Sequence, residues 1–554
     1  MSHSQFNASD LFVKALENEG VEVIYGIPGE ENLDLLESIR KSNIKLILTR
    51  HEQAAGFMAA TYGRLTGKVG VAISTLGPGA TNFTTPAAYA TLGGFPVLFI
   101  TGQKPIKKSK QGKFQVIDVV GMMKPITKYA KVIVSANNVT STIREAFRLA
   151  LEEKQGAVHI EFPEDVSAEE VYEDTKGVFT VSSALIPSVN LQSIEQATQL
   201  VKKAKLPLLL VGSSANRNNA SIALTNFVNK TGIPFFTTQM GKGVIDDNNK
   251  HFIGTASLSG NDYLHTLIAK ADLIINVGYD PIEKPPYFLG KNSITKVIHI
   301  NNTSGMIDEI YNPELEVLGD ISSAVNALTN SLGELNQDFS YAFKVKEFLQ
   351  KQINSFADNN SFPIKPQKLV LDIDKVVGEN GYIALDNGMY KLWFARNFTV
   401  HKPYGMILDN ALATMGAGLP SAMEIARLYP NERVLAIVGD GGFMMNSQEI
   451  ETALRLKLNI VVVILNDNAY GMIEWKQAGM GFANYGMKFN NPDFVKYAES
   501  YGAKGYRLQK TEDFSSLLEK CFNEKGVCII DVPIDYSEND KFFNKELNNK
   551  IEIK

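Results

Sequence analysis

Two acidic turns carry the most specific chemistry in this sequence: Gly439-Asp440-Gly441-Gly442 and Asn466-Asp467-Asn468. Two carboxylates beside three glycines suit a Mg²⁺ ion bound to a diphosphate. Mg²⁺ takes one or two carboxylates and fills its octahedron with phosphate oxygens and water. Glycines let a phosphate approach the backbone, and the amides of a helix start favour the anion. The alternative is a pair of ordinary α/β turns whose aspartates are solvated or cap a helix. The second acidic turn, one strand later, argues against it.

Such chemistry requires both turns at one edge of a sheet. Residues 434–438 and 459–465 are continuous apolar runs, which read as strands buried on both faces. Between them Asn446, with Glu449 three residues on, reads as the capping box of a helix. Ile450, Ala453 and Leu454 give that helix its apolar stripe. In a βαβ unit the strands run parallel, so Asp440 and Asp467 emerge at the same carboxyl edge. As neighbours they lie roughly 5 Å apart, one strand spacing.

Gly-Asp-Gly followed some twenty-five residues later by Asn-Asp resembles the thiamine-diphosphate motif. The similarity extends over nearly the whole chain, and the family it resembles is acetolactate synthase. The resemblance implies that Asp440 and Asp467 bind Mg²⁺, with the backbone carbonyl of Ala469 as a third ligand. It also implies that Gly439, Gly441, Gly442, Tyr470, Gly471 and Met472 line the cofactor. Many relatives have Asn at the second acidic position; Asp467 resembles the flavin-independent, catabolic branch. Asn387-Gly388-Met389 stands where family members hold the diphosphate with Gly-Gln-(His or Gln). Met389-Tyr390 follow Gly388 here, which leaves backbone contacts. Met415, close to Ala413, matches a bulky apolar residue wedged beneath the thiazolium; plain core packing is the other reading.

The first segment alternates strands (23–25, 44–49, 69–75, 96–101) with helices and glycine turns, the pattern of a doubly wound parallel sheet. Glu52 follows an apolar run that reads as a buried strand and opens a helix. From position alone it is a carboxylate favoured by the helix dipole. The resemblance implies more: a hydrogen bond to N1′ of the aminopyrimidine, favouring the imino tautomer that takes the C2 proton. Pro28, Thr75, Pro78 and Asn82 then lie beside the pyrimidine. Gln115 matches a glutamine near the reacting carbon, or is a solvated loop residue. Residues 104–113 contain five lysines and read as a solvated loop.

At 554 residues the chain exceeds one core. We expect three doubly wound α/β domains: 1–180 binding the pyrimidine, 191–332 in the middle, and 366–535 binding diphosphate and Mg²⁺. Residues 536–554 form a charged tail, expected to be poorly ordered or bound to a partner. Gly278-Tyr279-Asp280-Pro281-Ile282-Glu283 resembles the flavin-free branch, so FAD is not expected. Apolar content of 44%, charged content of 21% and net charge −5 describe a soluble globular protein without a general nucleic-acid surface. No apolar run approaches a membrane span, and no signal peptide is expected, so the expected location is cytoplasmic. The two cysteines, Cys521 and Cys528, read as packing residues.

The resemblance implies a homodimer at minimum, with the cofactor between the first domain of one subunit and the third of another, and usually a homotetramer. The implied reaction decarboxylates pyruvate and joins the two-carbon fragment to a second pyruvate, giving 2-acetolactate and CO₂. The alternatives are another thiamine-diphosphate-dependent 2-oxoacid decarboxylase or carboligase, and a non-catalytic nucleotide-binding or regulatory protein of the same fold.

Overall fold

The computed structural model describes residues 6–107, 112–171, 177–182, 186–217, 220–256, 263–283, 295–307 and 311–545. Its strands form three six-stranded parallel sheets. The chain packs as two compact units, one of Met1–Leu185 with Met423–Ile425 and Glu451–Leu456, the other of the remainder. No helix among the described residues is long and apolar enough to cross a membrane.

The first unit contains β1 (Val23–Gly26), β2 (Lys45–Leu48), β3 (Gly70–Ser74), β4 (Val97–Gln103), β5 (Tyr129–Val132) and β6 (Ala157–Pro163), in the order β2-β1-β3-β4-β6-β5. β3, β4 and β6 are buried throughout, because helices cover both faces of their apolar runs. On one face Leu11, Phe12, Val71, Leu98 and Phe162 pack together, with the Phe12 and Phe162 rings stacked at 4.8 Å. Burying each such side chain contributes about 1.5–3 kcal/mol. Asn7 caps the first helix, Ala8–Asn18, with its side chain on the Asp10 amide. One expectation fails here. β2, before Glu52, is an edge strand with only Ile47 of its four residues buried. It pairs with β1 on one side and has no strand on the other.

The second unit holds two sheets. One contains β7 (Pro207–Val211), β8 (Phe235–Thr237), β9 (Phe252–Thr255), β10 (Leu273–Val277), β11 (Lys296–Asn301) and β12 (Leu315–Leu318), in the order β12-β11-β10-β7-β8-β9. The other contains β13 (Tyr382–Leu385), β14 (Met406–Ile407), β15 (Val434–Gly439), β16 (Ile460–Asn466), β17 (Lys504–Arg507) and β18 (Val527–Pro533). Its order, β14-β13-β15-β16-β18-β17, repeats that of the first unit strand for strand. Both of these sheets therefore reverse their winding after the second strand. The crevice at such a switch point, outside the carboxyl ends of the strands, is where α/β sheets bind ligands. In the last sheet it lies between β13 and β15.

Two further expectations are corrected in this unit. The helix after β15 starts at once, as Asp440–Asn446, and a second helix, Glu449–Arg455, follows. Asn446 therefore ends one helix rather than standing before the only one. The described part of the charged tail, 536–545, packs on the fold, and 546–554 lie outside the described residues. Asn539 accepts a hydrogen bond from Trp393 Nε1 at 2.8 Å, and Phe542 and Phe543 pack on Trp393. Both cysteines are buried and free, as packing residues.

Candidate cofactor site

β15 and β16 are parallel neighbours, with Gly439 opposite Leu465. Asp440 and Asp467 therefore leave the same edge, side by side. Burial first, and then the charge of Asp440, push Asp467 up to about 7. Asp440 is raised too, chiefly by burial. Two carboxylates set side by side, one raising the proton affinity of the other, make a place for a cation. Asp440 is oriented on both oxygens. Oδ1 accepts from the Gly441 amide at 2.8 Å, and Oδ2 from the Asn468 amide and from Asn491 Nδ2, each at 2.8 Å. Asn468 sits at φ +53°, a left-handed conformation that Asn tolerates. The chain then forms an isolated bridge between Ala469 and Lys488. Tyr470 N–H donates to Met487 and Phe489 N–H donates to the Asn468 carbonyl, so the bridge does not use the Ala469 carbonyl.

The glycines are there for space. A Cβ on Gly442 would lie 2.4 Å from Asp386 Oδ2, and one on Gly441 would lie 2.8 Å from the Tyr470 ring. A cavity of about 340 Å³ opens above them. It is lined by Asn387, Gly388, Met389, Ala413, Met415, the Gly439–Gly442 turn, Asp467, Ala469, Tyr470, Gly471 and Met472, all anticipated, and by Lys391 and Tyr536, which were not. Its size falls in the range of about 300–1,000 Å³ typical of small-ligand sites.

Two buried aspartates outside the sequence motifs shape the far wall. Asp386, at the end of β13, accepts from the amides of Gly416 at 3.0 Å and Ala417 at 3.2 Å; burial still pushes it up to about 6. Asp409 accepts from the amides of Ala411, Leu412 and Ala413 at 2.8–3.2 Å. Together they pin the loop that carries Met415, including Ala413 at φ +54°. Asn387 Nδ2 donates to the Thr414 carbonyl at 2.7 Å. Tyr390, which follows Met389, has a role within the protein itself. Tyr390 is buried, and its hydroxyl accepts from the Gly439 amide at 2.9 Å, bracing the acidic turn from below.

In the first unit the turns after β1 and β3 flank the other switch point. Glu52 opens the helix Glu52–Thr66, which His51 caps, and is 9% exposed. Its Oε2 accepts from Asn82 Nδ2 at 2.9 Å. A Cβ on Gly79 would lie 3.2 Å from Oε1, so the Gly77–Thr81 turn packs directly on this carboxylate. Gly29, next to Pro28, rests on Thr75, whose hydroxyl donates to Glu31 at 2.5 Å. Pro28 and Pro78 are exposed. Gln115 is exposed, with φ +58°, and its carbonyl lies 2.8 Å from where a Gly77 Cβ would stand. Lys104 departs from the solvated-loop reading: it is buried and ion-paired with Glu31 at 2.6 Å. Lys108 and Lys110 lie outside the described residues.

Comparison with known proteins fits this architecture. Residues 6–122 match the family model "Thiamine pyrophosphate enzyme, N-terminal TPP binding domain", 194–328 the central domain, and 386–532 the C-terminal TPP binding domain. Paired carboxylates and a glycine turn at the carboxyl edge of the last of these sheets, next to its switch point, thus belong to a thiamine pyrophosphate enzyme. The chain is 32% identical to the acetolactate synthase of Bacillus subtilis (strain 168) over 535 residues, 96% of this chain and 94% of that one. It is 30% identical to the catabolic acetolactate synthase of Raoultella terrigena, covering 96% of each. It is likewise 30% identical to the acetolactate synthase large subunit of Haemophilus influenzae, over 97% of this chain and 96% of that one. The chain belongs to the thiamine-diphosphate-dependent acetolactate synthase family.

Proposed function

We propose that the chain is an acetolactate synthase, converting two molecules of pyruvate to 2-acetolactate and CO₂. The observation that carries this is the Asp440–Asp467 pair beside the glycine turn, in a chain similar throughout its length to acetolactate synthases. When bound, thiamine diphosphate supplies the electron sink that decarboxylation of a 2-oxoacid needs.

The chain's own residues do the rest. Asp440, Asp467 and the Ala469 carbonyl hold Mg²⁺, while Gly439, Gly441 and Gly442 let phosphate oxygens reach the backbone. Asn387, Gly388, Met389, Ala413, Tyr470, Gly471 and Met472 wall the site, and Met415 would pack against the bound cofactor. In the first domain (1–180), Glu52 would exchange a proton with the aminopyrimidine of a bound cofactor, with its Oε2 held by Asn82. Pro28, Thr75 and Pro78 border the pyrimidine, and Gln115 stands near the reacting carbon. The middle domain (191–332) requires no FAD, and 366–535 forms the diphosphate domain. The enzyme works in the cytoplasm as a homodimer or homotetramer, with each cofactor completed by residues of two subunits.

The test is product analysis with purified protein, pyruvate, thiamine diphosphate and Mg²⁺. 2-Acetolactate should be the main product. Acetaldehyde as the main product would instead support a decarboxylase of the same family.

A further inference from the structure

The cavity above the acidic turns is lined by two carboxylates, Asp440 and Asp467, and by one cation, Lys391. Lys391 opens the helix Lys391–Asn397 and is buried, at 4% exposure. The hydrogen-bond partners of its Nζ are neutral: Asn387 Oδ1 and, at 3.4 Å, the Asp409 carbonyl. The Asp409 carboxylate accepts from three backbone amides, and Asp386, the other charged group facing this side, from at least two. An ammonium whose hydrogen-bond acceptors are neutral is held at a cost, and burial lowers Lys391 to about 8 even though the charges of Asp409 and Asp386 act to raise it. An anion in the cavity would keep it charged. Among the described residues that line this cavity, no other is a cation. Met389 is a thioether, and the Tyr390 hydroxyl is engaged by Gly439.

Resting on the thiamine diphosphate reading above, we propose that Lys391 is an anion-binding residue of this cavity. Its ammonium meets either the diphosphate of the cofactor or the carboxylate of a bound 2-oxoacid. The competing role is a strut that only fixes Asn387, and through it the Thr414 carbonyl.

Lys391→Gln keeps a hydrogen-bond donor for Asn387 and removes the charge; Lys391→Arg keeps the charge. Thiamine diphosphate affinity is read by calorimetry on the full chain with Mg²⁺ present, and the pyruvate KM at saturating cofactor. If diphosphate is the anion, Lys391→Gln raises the cofactor Kd by about tenfold or more. If the carboxylate is, the Kd holds and the KM rises by about as much. In either case Lys391→Arg recovers most of the loss. Wild-type Kd and KM in Lys391→Gln would overturn the proposal, whatever happens to its melting temperature, and so would an Arg variant as impaired as Gln. Should Lys391→Gln not fold, Lys391→Met is read in the same way. A wild-type chain that takes up no thiamine diphosphate would instead defeat the functional reading, and this proposal with it.

Discussion

Replacing Asp467 by Asn should make the metal-free protein more stable while weakening its hold on the cofactor. Asp467 rises from the ordinary aspartate value of 3.8 to about 7 in the folded chain, through burial and the neighbouring charge of Asp440. A carboxyl that holds its proton more tightly when folded disfavours folding wherever it is ionised. The penalty is absent below about pH 4, grows between pH 4 and 7, and is full above 7. At about 1.4 kcal/mol per tenfold change in proton affinity, it reaches ~4 kcal/mol at pH 8 and ~2 kcal/mol at pH 5.5. Asn keeps the shape and an acceptor and removes the charge. Urea unfolding with chelator present should therefore show Asp467→Asn more stable than wild type, with a larger gain at pH 8 than at pH 5.5. Calorimetry with Mg²⁺ should show the same variant binding thiamine diphosphate more weakly. A metal-free variant no more stable than wild type, or a gain independent of pH, would refute the view that the paired carboxylates are held in wait for a cation.

Tyr390→Phe removes the acceptor of the partly buried Gly439 amide and should lower stability by about 1 kcal/mol in denaturant titration, the low end of the cost of an unpaired donor; unchanged stability would mean that water replaces the hydroxyl. The protein as purified should show no flavin absorbance, and added FAD should not raise its activity; stoichiometric bound FAD would contradict the reading of residues 278–283.

The acidic pair was legible because both strands before it are unbroken apolar runs. Parallel strands put their turns on one edge whatever the sheet order. What was not legible depends on pairing across long stretches of chain. Asn491 reaches Asp440 from 51 residues away, and Asp386 and Asp409 act through amides of loops that show no periodic pattern. The lysine-rich run gave no sign that Lys104 turns inward, because its partner Glu31 comes from the turn after β1. β2 read as buried because its composition resembles that of a central strand, and only the strand order makes it an edge. The tail's charges hid Phe542 and Phe543, whose docking depends on Trp393.

Binding of thiamine diphosphate, and its activation through Glu52, are what the chemistry of this chain turns on. The most direct measurement is hydrogen–deuterium exchange at C2 of the bound cofactor, stopped by acid and read by NMR. Wild type should exchange far faster than free cofactor. Glu52→Gln, which keeps shape and hydrogen bonding but cannot share the proton, should still bind and exchange about 10²–10⁴-fold more slowly. Bound cofactor that exchanges no faster than free cofactor, or as fast in Glu52→Gln as in wild type, would contradict the account.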